Sequence, residues 1–285
     1  MKMSSTLKYL IAVAIYGTIG YILHFVHAQS EFVVLCRGTI GSLFILLVIL
    51  LRKRKPGFKV IKENLLLLVI SGIALGLNWV FLFGGYRHAV SLASLCNYTA
   101  PVMVVIITAV FFKEKLNVVQ MVCVFFSFVG IVLLSGIIGS SSQDSGAVFY
   151  GLLAAVGFVV LVLCNRRFSE IDPLEKTLVQ LSVSALTVLP FVIVNRSFPV
   201  SLDRQSLLLI LMLGIIHTGV AYILYFSALT DLEPVKIAVL GYVEPVLAVL
   251  SGALLLNERV DVYTVIGAIL IIGSALISEL SNIKK

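Results

Sequence analysis

A single glutamate inside a long apolar run has the clearest chemical capacity in this sequence. Glu244 lies near the middle of the run Val235–Leu256. If that run crosses a bilayer, a charge at its centre costs about 3 kcal/mol on insertion scales, so the side chain must face protein or a water-filled cavity. There it can carry a proton or balance the charge of a solute. The alternative is a structural hydrogen bond to a neighbouring helix. We predict that Glu244 lines a cavity and titrates there.

Two other titratable side chains also lie inside apolar runs. Arg37 is near one end of its run, and three roles are open to it: reaching out to the membrane surface, pairing with Glu31, or binding an anionic group in a cavity. His217 lies well inside another run. Because unperturbed imidazole titrates near about 6.5, His217 is either a partner that shares a proton with Glu244 or a structural histidine.

Polar and amphipathic side chains recur within the other apolar runs. Their rings can hold a cation or stack on an aromatic solute, and their alternative is packing between helices with each polar group hydrogen-bonded. We expect several of them to line the same cavity: Tyr16, Asn78, Trp79, Asn97, Tyr98, Tyr222 and Tyr242. Pro101 and Pro245 each remove a backbone donor, which predicts a helix kink at each position and a free carbonyl four residues earlier.

The composition requires most of the surface to face lipid. Hydrophobic residues make up 60% of the 285 residues and charged residues 12%, and the mean hydropathy is +1.12. A soluble domain carries about 25% charged residues. The net charge of +7 is spread over short segments between apolar runs, which does not indicate nucleic-acid binding. The four cysteines lie in different runs without metal-ligand spacing, so we expect no metal, disulfide or cofactor.

Ten apolar runs have about the 20 residues that a transmembrane helix needs. The predicted spans are Leu7–Val26, Phe32–Leu51, Asn64–Gly85, Ala89–Phe112, Asn117–Ile137, Gly146–Leu163, Pro173–Val194, Leu207–Leu229, Val235–Leu256 and Asp261–Leu280. With the N-terminus inside, 16 of the 21 basic residues lie on the cytoplasmic side, four lie outside, and Arg37 lies within a span. The positive-inside rule therefore places both termini in the cytoplasm.

The two halves of the chain match at an offset of 144 residues. The matching positions are Tyr98 with Tyr242, Pro101 with Pro245, and Glu114 with Glu258. The halves 1–138 and 146–285 each hold five predicted spans, so the second half enters the membrane from the opposite side. Such inverted repeats support alternating access, in which one half rocks against the other around a central site. Glu114 and Glu258 serve either the tight turns near them or gating.

These residues resemble the drug/metabolite transporter superfamily, and within it the EamA-type transporters built from two five-helix repeats. The resemblance covers nearly the whole chain and rests on the paired Tyr…Pro…Glu pattern, Arg37 and the segment 214–222. It implies an all-helical membrane fold whose fifth and tenth helices are peripheral while the other eight line a cavity. The chain departs from its own symmetry at Ala100, where the second half has Glu244.

The predicted function is secondary active transport of a small polar metabolite across the cytoplasmic membrane. Arg37 with Glu244 would suit a zwitterion such as an amino acid, whereas Glu244 with Trp79 and the tyrosines would suit a quaternary amine or a drug. The expected partners are the solute, the bilayer and a coupling proton. An integral-membrane enzyme is the alternative, but the four histidines are scattered and no catalytic set is clustered. No pattern in the sequence indicates the direction of transport or the oligomeric state.

The charge asymmetry yields a topology test. We predict that a cysteine introduced between residues 140 and 145 reacts with a membrane-impermeant thiol reagent applied to intact cells, because that connection is extracellular. A cysteine introduced in the basic segment 52–62 should react only after permeabilisation. The opposite labelling pattern would reverse the predicted orientation.

Overall fold

The computed structural model describes residues 4–52, 57–111, 113, 118–134, 144–168, 170–199, 201–229, 232, 237, 240–258 and 260–283. Within these ranges the regular structure is entirely helical. Seven helical stretches are long and apolar enough to cross a membrane: Ser5–His24, Ser30–Leu51, Leu65–Tyr86, Val90–Phe111, Ser145–Asn165, Pro173–Val194 and Arg204–Ala228. Three shorter apolar helices are Val118–Leu133, Val243–Leu255 and Val262–Ser278.

The helices are numbered here in chain order. They are α1 (Ser5–Gly17), α2 (Ile19–His24), α3 (Ser30–Leu51), α4 (Phe58–Glu63), α5 (Leu65–Tyr86), α6 (Val90–Asn97), α7 (Ala100–Phe111), α8 (Val118–Leu134), α9 (Ser145–Asn165), α10 (Pro173–Val194), α11 (Arg204–Gly214), α12 (Ala221–Leu229), α13 (Val243–Leu250) and α14 (Val262–Ile283). Two π-helical segments extend them, π1 (Ile215–Val220) between α11 and α12, and π2 (Ser251–Leu255) after α13.

The seven long stretches coincide to within three residues with the first four predicted spans and with the sixth, seventh and eighth. Hydropathy locates them well because each run is bounded by charged or turn residues. The three shorter helices lie inside the fifth, ninth and tenth predicted spans. Parts of those spans, namely 117, 135–137, 235–236 and 238–239, fall outside the described residues, as does Glu114.

Carboxylate side chains set where four of the helices begin. Asp144, Asp172, Asp203 and Asp261 each accept a hydrogen bond from a backbone N–H in the first turn that follows, at N···O distances of 2.7–3.1 Å. These donors have no partner within the helix, and hydrocarbon offers no water to replace one. Asp261, which lies 144 residues after Asn117 in the sequence, thus caps the start of the last helix.

Each of the two prolines marked by the repeat follows a break in the helix. α6 ends at Asn97, Tyr98 forms a turn, and Pro101 is the second residue of α7. In the second half Tyr242 forms the turn and Pro245 is the third residue of α13. A proline cannot donate to the carbonyl four residues earlier, so the helix is interrupted just ahead of it.

Helix packing divides the molecule into a main bundle and a separate pair. α5 packs against α9 and α10, α3 packs against α10, and α1 packs against α12 and α13. α8 and α14 pack chiefly against each other and expose large side chains on their outer faces, such as Phe125, Phe128 and Ile269. Large exposed apolar side chains of this kind require a lipid environment.

The connections between helices group at two opposite ends of the bundle. At one end the His27 N–H donates to Ser206 Oγ (2.8 Å), and the Ser197 hydroxyl donates to Gln29 Oε1 (2.7 Å). We call this the His27 end. At the other, the Gly57 end, the Gly57 N–H donates to Glu175 Oε1 (3.0 Å). In every case the two partners come from different halves of the chain.

A glycine allows α1 to approach α13 at the backbone of Glu244. A Cβ at Gly17 would lie 2.7 Å from Leu247 Cβ and 2.9 Å from the Glu244 carbonyl oxygen. We predict that Gly17→Ala destabilises the protein by about 1–3 kcal/mol, because α13 must shift to admit the methyl group. The measurement is thermal unfolding of the purified protein in detergent.

The control for this prediction is Gly273→Ala in α14. No atom lies within 4 Å of a Cβ built at Gly273, so the substitution adds no clash. Alanine favours a helix interior over glycine by about 0.8–1.0 kcal/mol. The unfolding midpoint should therefore stay the same or rise. Equal midpoints for the two variants would contradict close packing at Gly17.

Candidate binding cavity

A cavity of about 510 Å³ lies among helices drawn from both halves of the chain. This volume is in the range of small-molecule sites. Seven residues that the sequence singles out line its wall: Tyr16, Arg37, Asn78, Trp79, Asn97, Tyr222 and Glu244. The wall also contains apolar side chains from α5, α9 and α12. The cavity therefore combines a few polar groups with an aromatic surround.

Arg37 is buried at the centre of this arrangement, with 3% of its surface exposed. Its Nε donates to Thr218 Oγ1 at 2.7 Å, and its guanidinium carbon lies 4.0 Å from the centre of the Trp79 ring. The head group therefore does not reach the membrane surface. It does not pair with Glu31 either, whose carboxylate accepts a hydrogen bond from Asn195 (3.4 Å). Of the three roles open to Arg37, the cavity role fits its position.

The π1 segment provides the groups that hold Arg37. Its wider turn lets the Thr218 hydroxyl donate to the Leu213 carbonyl, five residues earlier, at 2.9 Å. The same hydroxyl accepts from Arg37, and the His217 carbonyl accepts from Arg37 Nη2 at 3.4 Å. Single π-helical turns within α-helices occur often at functional sites. Sequence reasoning missed Thr218 as a site residue, because a threonine in an apolar helix gives no signal by itself.

The imidazole of His217 lies outside the cavity wall and forms contacts between helices. Its Nε2 lies 3.1 Å from the Thr18 hydroxyl oxygen, and its Nδ1 lies 3.4 Å from the Met212 carbonyl oxygen. The imidazole is absent from the cavity wall. Of the two roles that the sequence leaves open for His217, these contacts fit the structural one. In this structure His217 connects π1 to the break between α1 and α2 at Thr18.

Glu244 is the second residue of α13, directly after the turn at Tyr242. Its carboxyl group lines the cavity and interacts electrostatically with the nearby Tyr98 hydroxyl. Tyr98 and Tyr242 themselves lie outside the wall, and Tyr242 packs against Val102. The two repeat tyrosines thus position α13 and its carboxylate rather than the cavity surface.

The two charges of the cavity face it without touching each other. Within the described parts of the chain, neither Arg37 nor Glu244 forms an ion pair within 4.0 Å. The Tyr16 hydroxyl is also buried in the wall, and among the described residues it has no hydrogen-bond partner. Buried charges are normally paired and buried polar groups hydrogen-bonded, so two charges without an ion pair and one unpartnered hydroxyl around the same space indicate groups that a ligand completes.

Amide side chains supply the remaining polar part of the wall. Asn78 Nδ2 donates to Asn97 Oδ1 (3.1 Å) and to the Ala154 carbonyl (2.8 Å). Gln180 Nε2 donates to Asn165 Oδ1 (3.3 Å), further toward the Gly57 end. No pattern in the sequence selects Gln180 or Asn165, because their proximity depends on the packing of α10 against α9 and α5.

The cavity opens toward the Gly57 end. Its wall there includes Asn165, Lys176 and Gln180, and its rim includes the exposed Arg166. Toward the His27 end the wall stops at Tyr86, whose hydroxyl accepts a hydrogen bond from Ser94 (3.3 Å). In the described parts of the chain, the cavity is therefore bounded at the His27 end and accessible toward the Gly57 end.

Glu258 closes the His27 end across the two halves of the chain. Its carboxylate accepts hydrogen bonds from the N–H groups of Val90 (2.5 Å) and Ser91 (2.9 Å) and from the Ser91 hydroxyl. These donors are at the N-terminus of α6, where the helix dipole favours a negative charge. Glu258 is therefore not confined to its own turn, and a role in gating stays a prediction. The corresponding Glu114 lies outside the described residues.

Comparisons with known proteins agree with this architecture. The EamA-like transporter family matches residues 3–136 and 145–280. The uncharacterized transporter YxxF of Bacillus subtilis (strain 168) is 28% identical over 274 residues, covering 95% of this chain and 88% of that protein. Protein PecM of Dickeya dadantii (strain 3937) is 26% identical over 216 residues, covering 75% and 73% respectively. One crystal structure matches with a TM-score of 0.65 and 20% identity over 99% of both chains, which shows a common fold.

The long apolar helices around a polar cavity define a multi-pass membrane protein of the transporter class. The chain belongs to the EamA-like transporter family of the drug/metabolite transporter superfamily. The resemblance read from the Tyr…Pro…Glu pattern, from Arg37 and from the segment 214–222 is thereby confirmed.

The contacts of Glu258 predict that replacing this residue makes the His27 end more accessible. We expect Glu258→Ala to loosen α6, because three hydrogen bonds to its N-terminus are lost. The probe is Ser94→Cys in a background without the four native cysteines. Its thiol should react with a reagent applied from the His27 side at least several-fold faster when Glu258 is alanine than when Glu258 is present. Glu31→Ala is the matched control, since its carboxylate lies at the same end but accepts only a 3.4 Å contact. An unchanged labelling rate in the Glu258 variant would show that it is not a closing contact.

Proposed function

We propose that this protein is a secondary active transporter of a small zwitterion, an amino acid or a close relative. The observation that carries the proposal is the unpaired placement of Arg37 and Glu244 on one cavity wall. A zwitterion would bring a carboxylate to the guanidinium and an ammonium to the carboxylate. Both buried charges would then be neutralised, which removes the penalty of leaving each uncompensated. The Tyr16 hydroxyl offers a further hydrogen bond.

The aromatic surround supports a substrate with an apolar or aromatic side chain. Tyr16 and Tyr222 lie with ring centres 5.8 Å apart, and Phe83 and Trp79 complete the wall. A quaternary amine is the alternative cargo, and it would need a free aromatic face. The best such face, that of Trp79, is already covered by the Arg37 guanidinium at 4.0 Å. The geometry therefore favours the zwitterion over an organic cation.

We propose ten membrane spans in two inverted repeats, 1–138 and 146–285. Supporting this, Lys113 and Asn257 both have left-handed backbone conformations, with φ of 55° and 53°, and they are 144 residues apart. Tyr98 and Tyr242, at the same offset, have nearly identical backbone angles just before the proline helices. Two such coincidences at one offset favour a repeated unit, related by a pseudo-two-fold axis in the membrane plane.

We propose that the Gly57 end is cytoplasmic and that both termini lie there, in the cytoplasmic membrane. Basic residues concentrate at this end, including Arg52, Arg166, Arg167 and Lys176, as the positive-inside rule requires. The conformation described here is then inward-facing. Alternating access would close the rim around Arg166 and release the Glu258 contacts at the opposite end. The name of the relative from Bacillus subtilis, an uncharacterized transporter, supports transport rather than catalysis.

A proton is the proposed coupling ion, and Glu244 is its proposed carrier. When the ammonium of the substrate is bound, Glu244 must be ionised to balance it. When the substrate leaves, a proton can take the place of the ammonium and keep the carboxyl group neutral during the return step. Substrate and proton would then compete for one carboxylate, which produces exchange without a separate ion site.

The zwitterion proposal predicts a sharp ligand preference. The protein contains one tryptophan, Trp79, in the cavity wall, so its fluorescence reports occupancy directly. We expect phenylalanine to bind at least about tenfold more tightly than phenethylamine or 3-phenylpropionate, each of which lacks one charge. A hydrogen bond to a charged group contributes about 1.5–3 kcal/mol, which is consistent with that factor. Tightest binding by the amine would instead support the organic-cation alternative.

Glu244→Gln separates the roles of this residue, because it keeps the shape of the side chain but removes its charge. We expect phenylalanine binding to fall about tenfold or more, binding of 3-phenylpropionate to change little, and pH-driven accumulation in proteoliposomes to disappear. The matched control is Glu31→Gln, outside the cavity. Normal binding together with normal pH-driven flux in the Glu244 variant would make Glu244 a structural residue.

A further inference from the structure

The open mouth of the cavity carries two positive charges that the central site does not use. Lys176 and Arg166 both lie on the wall at the Gly57 end. Lys176 is half-buried, and its Nζ lies 5.5 Å from the Phe168 ring centre and 5.8 Å from that of Phe226. It lies in the first turn of α10, where the helix dipole disfavours a cation. Helix stability therefore does not explain a lysine at this position.

Nearby carboxylates do not neutralise Lys176. Asp172 accepts from the Leu174 N–H at 2.9 Å, and Glu175 accepts from the Gly57 N–H at 3.0 Å. Over the residues that the structure describes, Lys176 forms no ion pair. Its ammonium is held beside two aromatic rings with hydrogen-bond donors still available to a ligand.

The other polar groups at the mouth are also donors. Asn165 Oδ1 accepts from Gln180 Nε2 at 3.3 Å, so the Nδ2 group of Asn165 remains available. Arg166 adds an exposed guanidinium at the rim. Ammonium, guanidinium and amide N–H groups together match the acceptor oxygens of a carboxylate. The mouth therefore has the chemistry of an anion site, separate from Arg37.

We propose that this mouth site, formed by Lys176, Arg166 and Asn165, binds the carboxylate of the solute before it reaches Arg37. This inference rests on the proposed zwitterion, whose carboxylate would lead and whose ammonium would follow. The faces of Phe226 and Phe168 would hold the apolar part of the solute. A cationic mouth raises the local concentration of carboxylates and their association rate, and added salt screens this effect.

The kinetic test uses Trp79 as the reporter of arrival at the central site. We expect Lys176→Gln to slow the association of phenylalanine about 5- to 10-fold at low salt, with the difference shrinking at high salt, because the capture step is lost. Lys176→Arg, which keeps the charge, should stay close to wild type. Arg167→Gln is the matched control, because Arg167 is adjacent to Arg166 but absent from the wall. An association rate in Lys176→Gln equal to that of the control would overturn the mouth site.

A second measurement does not depend on zwitterion transport. Calorimetric titration of benzoate into the protein in phosphatidylcholine nanodiscs should show one bound equivalent fewer in Lys176→Gln than in wild type or Arg167→Gln. Equal stoichiometry would contradict the mouth site even if phenylalanine binds. If no zwitterion changes Trp79 fluorescence, the proposed function fails, and the benzoate result alone decides the mouth site. Loss of benzoate binding on replacing the lipid with phosphatidylglycerol would assign the site to a lipid head group and overturn our assignment to a solute.

Discussion

A guanidinium group buried in the middle of a membrane protein constrains everything around it. Arg37 lies on α3 in the first half, while the Thr218 hydroxyl and the His217 carbonyl that accept its hydrogen bonds belong to π1 in the second half. Gly41, one turn along α3, gives the space for Thr218, since a Cβ there would lie 2.5 Å from Thr218 Cγ2. A charge withdrawn from water needs such partners to be tolerated. The two halves are thus held together at the point where the solute is proposed to bind.

Irregular backbone is found where the chain meets this centre. Thr18 separates α1 from α2, Tyr98 separates α6 from α7, Tyr242 precedes α13, and π1 interrupts the eighth span. In hydrocarbon, non-helical backbone is tolerated only where it is buried in protein or lines a cavity. Transporters use such interruptions to expose backbone groups near the midplane. The breaks are therefore consistent with the proposed function rather than defects in the helices.

The sequence predicts the charged centre better than its surroundings. Glu244 and Arg37 were identifiable because a charge inside an apolar run is rare and costly. The bounds of the spans were identifiable because hydropathy alone defines them. The sequence does not identify Thr218, Lys176 or Gln180 as site residues, because their roles depend on which helices pack together. The sequence leaves two roles open for His217, and the structural one becomes visible only through its contacts with Thr18 and Met212. The contacts of Glu258 with α6 could not be predicted either, because they depend on how the two halves of the chain pack together.

The polar contacts between the halves are distributed unequally between the two ends. Among the described residues, the His27 end has contacts from His27 to Ser206, from Ser197 to Gln29 and from Glu258 to the start of α6. The Gly57 end has contacts from Gly57 to Glu175 and from the Tyr9 hydroxyl to the Ile237 carbonyl. Each of these bonds contributes about 0.5–1.5 kcal/mol. Together they favour the conformation described here, and the free-energy difference sets its population. In the proposed transport cycle, the empty protein would therefore rest mainly in the conformation whose cavity is accessible from the Gly57 end.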